Sequence, residues 1–307
     1  MVLVSLLAVL AACSRGQDAR PPTKAPEPRV VLNHVVATLD AETLAAIQRN
    51  SFIREHLAAA EERTNATADG QSWTGFYLYG RDTSIEFFGP GPSTAAGDGA
   101  IGLGVDERGG LERLASRLRA SGRRFHPHLV TKRDPDGREL PWFTTATFLP
   151  ERPKAPFGSW VMEYRPEFMA GRVAGTQRDP NDVSRRNYLF IRYRPEMLVE
   201  NLRSAHYRMP CRERDEFATD FAAYGWRVRR EGDDAVATGP DFEMRLTADA
   251  ERTGLVELRF ALQRKVDRQE VALGSSKLTV GPGSDAVWRF AAASRTTSQT
   301  SLSEGAN

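Results

Sequence analysis

Residues 30 to 38 read VVLNHVVAT, and residues 83 to 88 read TSIEFF. Both stretches consist mostly of Val, Ile, Leu and Phe, which favours buried β-strands. Each of them carries one ionisable side chain, His34 or Glu86, inside the apolar run. A buried ionisable group must find a partner, change its pKa or bind a metal. The two strands therefore indicate a site that is built on a sheet.

Strands and helices then recur in one order along the chain. The first unit continues with a helix after Asp40 and with the strands TGFYLYG and TSIEFFG. A second unit begins with AIGLGV at 100–105, and a third begins with VENLRSAHYRM at 199–209. We expect the third unit to pair with the segment EVALGSSKLTVGPGSDAVWRF or with a second subunit in a homodimer, because a lone module leaves a sheet edge exposed.

The composition is that of an ordinary globular protein. Of the 307 residues, 40% are hydrophobic and 27% are charged, and the net charge is only +2. This balance does not indicate a nucleic-acid partner. Arginine clusters such as Arg185 with Arg186, and Arg192 with Arg194, could hold an anion, but we expect them to be solvated because long charged side chains are mostly exposed.

The two ends of the chain are predicted to lie outside the fold. Residues 1–13 end in LAAC and resemble a bacterial lipoprotein signal peptide, in which Cys13 becomes the lipidated residue. Residues 14–28 form a proline-rich tether, and residues 294–307 are low in hydrophobic side chains and predict a disordered tail. We therefore expect an exported protein that is anchored to a membrane of the bacterial cell envelope through Cys13.

The repeated units resemble a known superfamily. A histidine in the first strand and a glutamate in the fourth strand of a βαβββ unit are similar to the vicinal oxygen chelate proteins, which include glyoxalase I and extradiol dioxygenases. The segments LNHVVATLD, WTGFYLYGRDTSIEFFGPG, GAIGLGVD and SWVMEYRPEF also resemble an uncharacterised bacterial family known only as a domain of unknown function.

This resemblance implies an α+β fold in which βαβββ modules form curved mixed sheets around a cleft. Residues 29–172 would be the paired modules of a glyoxalase-like domain, residues 173–198 a connector, and residues 199–293 a third module with C-terminal strands. Tyr77, Phe88, Trp142 and Trp160 fall on strands of the paired modules and would line a pocket for a small, partly apolar ligand.

The resemblance also implies a metal site. His34 matches the first-strand ligand, while Glu86 and Glu163 match the fourth-strand glutamates of the two modules, and together they would bind a divalent ion. The fourth position is expected at Ala100, which cannot be a ligand. Without a metal, His34 would be a neutral, hydrogen-bonded core residue with Asn33 on the opposite face, and the glutamates would face solvent.

Three functions remain open at this point. A ligand-binding envelope lipoprotein, with or without a divalent metal, is favoured because Ala100 interrupts the ligand set. The alternatives are a metal-dependent lyase, isomerase or dioxygenase of the vicinal oxygen chelate type, and a purely structural envelope lipoprotein without a ligand-sized cleft.

Overall fold

The computed structural model describes residues 27–92, 94–134, 136–148 and 157–291, and the backbone of residues 293 and 294. The signal peptide with Cys13, all but the end of the tether, and the tail from residue 295 lie outside the described residues and stay predictions. None of the helices in the described part of the chain has both the length and the apolar character that crossing a lipid bilayer requires.

The first half of the chain forms an eight-stranded curved sheet. Its strands are β1 Val30–Thr38, β2 Ala59–Ala66, β3 Ser72–Tyr79, β4 Ser84–Phe88, β5 Gly99–Val105, β6 Phe125–Arg133, β7 Glu139–Phe148 and β8 Phe157–Tyr164. They lie in the order β2-β3-β4-β1-β5-β8-β7-β6, so each module contributes four neighbouring strands and the two modules meet between β1 and β5. This arrangement confirms the predicted α+β fold of βαβββ modules.

Helices follow the first strand of each of the first three modules. The α-helices among the described residues are α1 Ala41–Arg49, α2 Gly110–Ala120, α3 Pro166–Arg172, α4 Arg185–Leu189 and α5 Cys211–Ala223. A π-helical turn at Ile53–Leu57 extends the helical region after α1. Asp40 caps α1 as expected, because its carboxylate accepts a hydrogen bond from the backbone N–H of Thr43 at 2.8 Å.

The second half of the chain holds two modules, so the molecule has four units where the sequence predicts three. Its strands are β9 Val199–Met209, β10 Arg227–Glu231, β11 Asp234–Thr238, β12 Glu243–Ala248, β13 Arg252–Val266, β14 Gln269–Leu273, β15 Ser276–Val280, β16 Gly283–Arg289 and β17 Ala293–Ser294. Strands β13 to β16 form the fourth unit, in which a tight turn after Val266 replaces the helix. Without helical spacing between β13 and β14, its sequence lacks the βαβββ pattern.

The two sheets share one hydrophobic core. The ring of Phe87 on the first sheet lies 5.5 Å from Trp288 on the second, and Phe157 lies 4.8 Å from Tyr207, both as ring-centroid distances. The Trp226 indole N–H also donates to the Val30 carbonyl oxygen at 2.8 Å. The core therefore takes up one face of the first sheet, and the other, concave face is free to form a pocket.

Candidate functional site

The concave face of the first sheet encloses a cavity of about 380 Å³. Tyr77, Phe88, Trp142 and Trp160, the four aromatic residues expected from the sequence, all line it. Apolar and aromatic side chains form most of the wall, with a few polar groups among them. A cavity of this size and lining is typical of small-molecule sites.

His34 and Glu86 lie together in this cavity. Their strands run parallel, and the imidazole Nε2 is 3.9 Å from the carboxylate Oε1. Burial lowers the pKa of His34 to about 4. Burial also raises the pKa of Glu86 to about 7, although the charge of Arg63 and a hydrogen bond from Tyr77 oppose the rise. Both groups are therefore neutral at slightly acidic pH.

A β-bulge brings Asn33 into the same cavity. The register of β1 against β5 shifts between Leu32 and His34, and both Asn33 and His34 line the pocket. The expectation that Asn33 lies on the opposite face is therefore wrong. Asn33 Oδ1 is 2.9 Å from His34 Nδ1 and its amide N–H donates to the Tyr164 hydroxyl at 3.3 Å. This orientation makes Nδ1 the donor and leaves the lone pair of Nε2 directed away from Asn33.

Tyr77 is oriented by two donors. The Asn65 side-chain amide donates to its hydroxyl oxygen at 2.9 Å, and the Trp73 indole N–H donates at 3.2 Å. Since both donors occupy the oxygen's lone pairs, the phenolic proton is available for Glu86. Burial, followed by the nearby Glu86 charge, raises the pKa of Tyr77 to about 12, so the phenol keeps its proton.

Glu163 does not reach the cavity. The residues Trp160, Met162 and Tyr164 of β8 face the pocket, so Glu163 faces the helices. Its carboxylate accepts hydrogen bonds from the backbone N–H groups of Gly109, at 2.7 Å, and Leu111, at 2.9 Å. Glu163 thus caps the start of α2 and is not the ligand that the resemblance implied.

The positions of the second module that correspond to His34 and Glu86 do not supply metal ligands either. His34 pairs with Gly102, whereas the resemblance predicts the corresponding position at Ala100. His34 lies beside Ser84 and Gly102 beside Trp160, so the counterpart of Glu86, two residues after Ser84, is Met162. A Cβ on Gly102 would come within 2.2 Å of the His34 ring, so the glycine makes room for the imidazole.

These residues do not fit a resident divalent metal. Among the pocket-lining residues that the structure describes, His34 is the only imidazole and Glu86 the only carboxylate, and there is no cysteine. No group of three such side chains suited to a metal occurs within the described residues. A borderline ion such as Zn²⁺ takes at least three protein ligands in its catalytic sites, and a tyrosine with a raised pKa is a poor substitute.

The connector closes one side of the cavity, which the sequence does not predict. Tyr188 and Leu189 of α4 line the pocket, and the Tyr188 ring stacks on Tyr164 with 4.0 Å between centroids. Tyr188 and Leu189 also belong to a hydrophobic cluster with Tyr77 and Met162. Residues between the two sheets thus form part of the ligand site.

We expect His34 and Glu86 to give the free energy of unfolding opposite pH dependences. On acidification from pH 6.5 to about 5, the unfolded chain binds a proton at His34 that the folded protein does not bind, so stability falls. Over the same range folded Glu86 holds a proton that the unfolded chain does not hold, so stability rises as the pH falls. The two effects nearly cancel in the wild type.

Replacing one of the two residues exposes the effect of the other. Relative to wild type, Glu86→Gln is expected to lose about 1.5 kcal/mol on this acidification, and His34→Phe is expected to gain about the same. Urea unfolding of the three proteins at both pH values measures these differences. Stability changes that are the same in all three would show that neither group has a displaced pKa.

A family model matches most of the chain. The sequence model of a protein family described as a family of unknown function (DUF5829) matches residues 32–290. A search of curated proteins by sequence found no match.

Several solved structures are similar to this one at low sequence identity. A hypothetical protein from Staphylococcus aureus is 9% identical, with 80% of this chain and 96% of that chain aligned and a TM-score of 0.48. The Mn(II)-bound glyoxalase from Novosphingobium aromaticivorans is 10% identical, with 85% and 80% aligned and a TM-score of 0.38. Homoprotocatechuate 2,3-dioxygenase from Arthrobacter globiformis is 15% identical, with 76% and 64% aligned and a TM-score of 0.35.

Proposed function

The chain belongs to the DUF5829 family, and for this member of a family of unknown function we propose that the first sheet binds a small, mostly apolar aromatic molecule that carries a hydroxyl group. The observation that supports this most directly is the aromatic cavity of about 380 Å³ with two neutral, buried hydrogen-bonding groups inside it. Flat rings such as Trp160 and Phe88 favour a flat apolar ligand, because aromatic pairs stack or meet edge to face.

The spacing of His34 and Glu86 supports the hydroxyl group. The 3.9 Å between Nε2 and Oε1 is too long for a direct hydrogen bond, so a ligand oxygen can interact with both atoms. A hydroxyl can donate to the free lone pair of Nε2 and accept from protonated Glu86. Leaving the lone pair of His34 Nε2 and the proton of Glu86 without a partner is unfavourable, and a ligand hydroxyl can supply both partners.

We place no metal at this site, because Gly102 and Met162 occupy the positions where two further ligands would be needed. His34 and Glu86 then recognise the ligand directly. A stoichiometric divalent ion in purified wild-type protein that disappears in His34→Phe would contradict this assignment.

Binding of 2-naphthol, followed by ligand-detected NMR and calorimetry, tests the proposed site. Val36 is half-buried on β1 and borders the cavity, so the indole of Val36→Trp would occupy the ligand's space. Val287→Trp is the matched control, since Val287 is half-buried on β16 of the second sheet. We expect the wild type and the control to bind alike and Val36→Trp to bind at least about tenfold more weakly, a difference of roughly 1.4 kcal/mol.

Two results would overturn the proposal. One is the absence of 2-naphthol binding at millimolar concentration. The other is equal affinity in wild type and Val36→Trp, which would place the probe outside the cavity.

A further inference from the structure

Four cations flank the aromatic wall of the cavity, and we call them the basic cluster: Arg63 on β2, Lys132 on β6, Arg172 at the end of α3, and Arg192 after α4. Each lies over a ring that lines the pocket. The distances from the charged group to the ring centroid are 4.6 Å for Arg63 over Tyr77, 4.8 Å for Lys132 over Trp142, 4.0 Å for Arg172 over Tyr188 and 5.6 Å for Arg192 over Tyr79.

These charges are close enough to repel one another. The pKa of Lys132 is lowered by burial and then by the charges of Arg63, Arg192 and Arg172. The pKa of Arg172 is lowered mainly by burial, and Arg192 and Arg63 contribute to the same direction. All four side chains are half-buried, so water screens their repulsion only in part.

Within the described residues, a single carboxylate forms ion pairs with the basic cluster. Glu61 Oε1 accepts from Arg192 Nε at 2.7 Å and lies 3.4 Å from Arg63 Nη1. The same oxygen also accepts from the Tyr79 hydroxyl at 2.6 Å. One carboxylate for four cations leaves an excess of positive charge beside an apolar cavity.

Several buried nitrogen atoms of the basic cluster also have no hydrogen-bond partner among the described residues. They are Arg63 Nε, Arg172 Nη2 and Arg192 Nη1. Buried donors of charged groups are normally paired, because leaving them without an acceptor is strongly unfavourable. Among the described residues these nitrogen atoms therefore lack an acceptor, and a negatively charged one would suit them best.

We propose that the basic cluster binds a carboxylate group of the ligand, so that the ligand is an aromatic acid whose ring occupies the cavity. Guanidinium groups match the planar carboxylate with paired hydrogen bonds, and the rings beneath them hold the cations in place. This inference rests on the proposed function and adds the charge of the ligand to it.

A matched pair of probes tests the carboxylate. The probes 6-hydroxy-2-naphthoate and 6-hydroxy-2-naphthamide have the same ring system and nearly the same shape, and they differ in charge. We expect wild-type protein to bind the naphthoate about tenfold or more tightly than the naphthamide, since hydrogen bonds to charged groups are the stronger ones. The preference should shrink as ionic strength rises.

Lys132→Met is the most informative variant, because Lys132 forms no ion pair among the described residues and its removal relieves repulsion. We expect its thermal midpoint to be unchanged or higher, and its naphthoate affinity to fall at least about threefold more than its naphthamide affinity. Lys265→Met, on an exposed part of β13, is the control and should change neither affinity. Arg172→Met is a second variant, and we expect its naphthoate affinity to fall more than its naphthamide affinity. Its thermal midpoint should be lower, because the change also removes the hydrogen bond from Arg172 Nε to the Tyr188 carbonyl oxygen.

The outcomes separate this inference from the proposed function. Equal binding of both probes, with both weakened in Val36→Trp, would overturn the carboxylate and leave the pocket in place. Binding of neither probe, together with the absence of 2-naphthol binding, would overturn both. A preference for naphthoate that persists in Lys132→Met and Arg172→Met would place the carboxylate elsewhere and overturn the assignment to the basic cluster.

Discussion

Arg185→Met is expected to lower the free energy of unfolding by about 3 to 5 kcal/mol, because it breaks a buried ionic network. Only 9% of the Arg185 side chain is exposed. Its guanidinium contacts Asp106 at 3.2 Å and Asp241 at 2.6 Å, and it donates to the Leu32 carbonyl oxygen. Without Arg185, two carboxylates that are 34% and 31% exposed and the backbone oxygen of the buried Leu32 lose their partner.

Arg185 connects three parts of the fold, so we expect its replacement to destabilise more than its immediate surroundings. Asp106 follows β5 of the first sheet, Asp241 lies between β11 and β12 of the second, and Arg185 begins α4. The side chain therefore joins both sheets to the helix that carries Tyr188 into the pocket. We expect Arg185→Met to weaken 2-naphthol binding as well, since the Tyr188 wall would no longer be held in place.

The neighbouring arginine is the control. Arg186 also pairs with a carboxylate, Asp82, through Nε at 2.5 Å and Nη2 at 2.9 Å, but 54% of its side chain is exposed. Arg186→Met is expected to lose no more than about 1.5 kcal/mol, because Arg186 itself is largely exposed and Asp82 keeps its contacts with Asn201 at 3.0 Å and with Arg81 at 3.3 Å. Chemical denaturation measures both variants, and equal losses would show that the burial of Arg185 does not matter.

Glu163→Ala is expected to lower the free energy of unfolding by about 2 to 3 kcal/mol, since it removes the cap of α2. The residue before α2, Gly109, has no side chain to accept from the first backbone N–H groups, and Glu163 does so from β8. The carboxylate is 6% exposed, so water does not readily replace it. Its negative charge also lies at the positive end of the helix.

Two variants sharpen this test. Glu163→Gln keeps one acceptor oxygen and should show an intermediate loss. Glu112→Ala, in the first turn of the same helix, removes a side chain that is 65% exposed and should change stability by less than about 0.5 kcal/mol. A Glu163→Ala protein with unchanged stability and a changed metal content would contradict the capping role and restore the ligand role.

Much of the fold follows from local patterns. The apolar run of β1, the Asp40 cap and the helical spacing of α2 each involve neighbouring residues, so they can be read without knowing the partner strands. The repetition of strand, helix and strands predicts the module type for the same reason. The fourth unit cannot be recognised in this way, because its long strand β13 is joined to the short strand β14 by a turn instead of a helix.

The residues of the candidate site are harder to predict from local sequence patterns. His34 and Glu86 stand out because a charged or titratable residue in an apolar strand is anomalous by itself. The resemblance places Glu163 on the wrong face of its strand. Successive residues of a strand alternate between faces, so a shift of one residue between the modules reverses the side. The bulge at Asn33 breaks the same alternation, and no local pattern in VVLNHVVAT marks it.

The basic cluster shows most clearly which features cannot be predicted from the sequence. Its members come from β2, β6, the end of α3 and the segment after α4, so more than a hundred residues separate Arg63 from Arg192. In the sequence, Arg192 looks like one surface arginine among many. Its proximity to Arg63 and to the pocket is a property of the folded chain.

The sequence by itself determined the α+β modules and the placement of His34 and Glu86 in buried strands, because alternation, helical spacing and hydrophobicity act between near neighbours. Only the tertiary structure decided that His34 faces Gly102, that Glu163 caps a helix, that α4 closes the cavity and that four cations gather beside it. These features depend on strand register, on one-residue shifts and on contacts between distant segments, and none of these is determined by neighbouring residues alone.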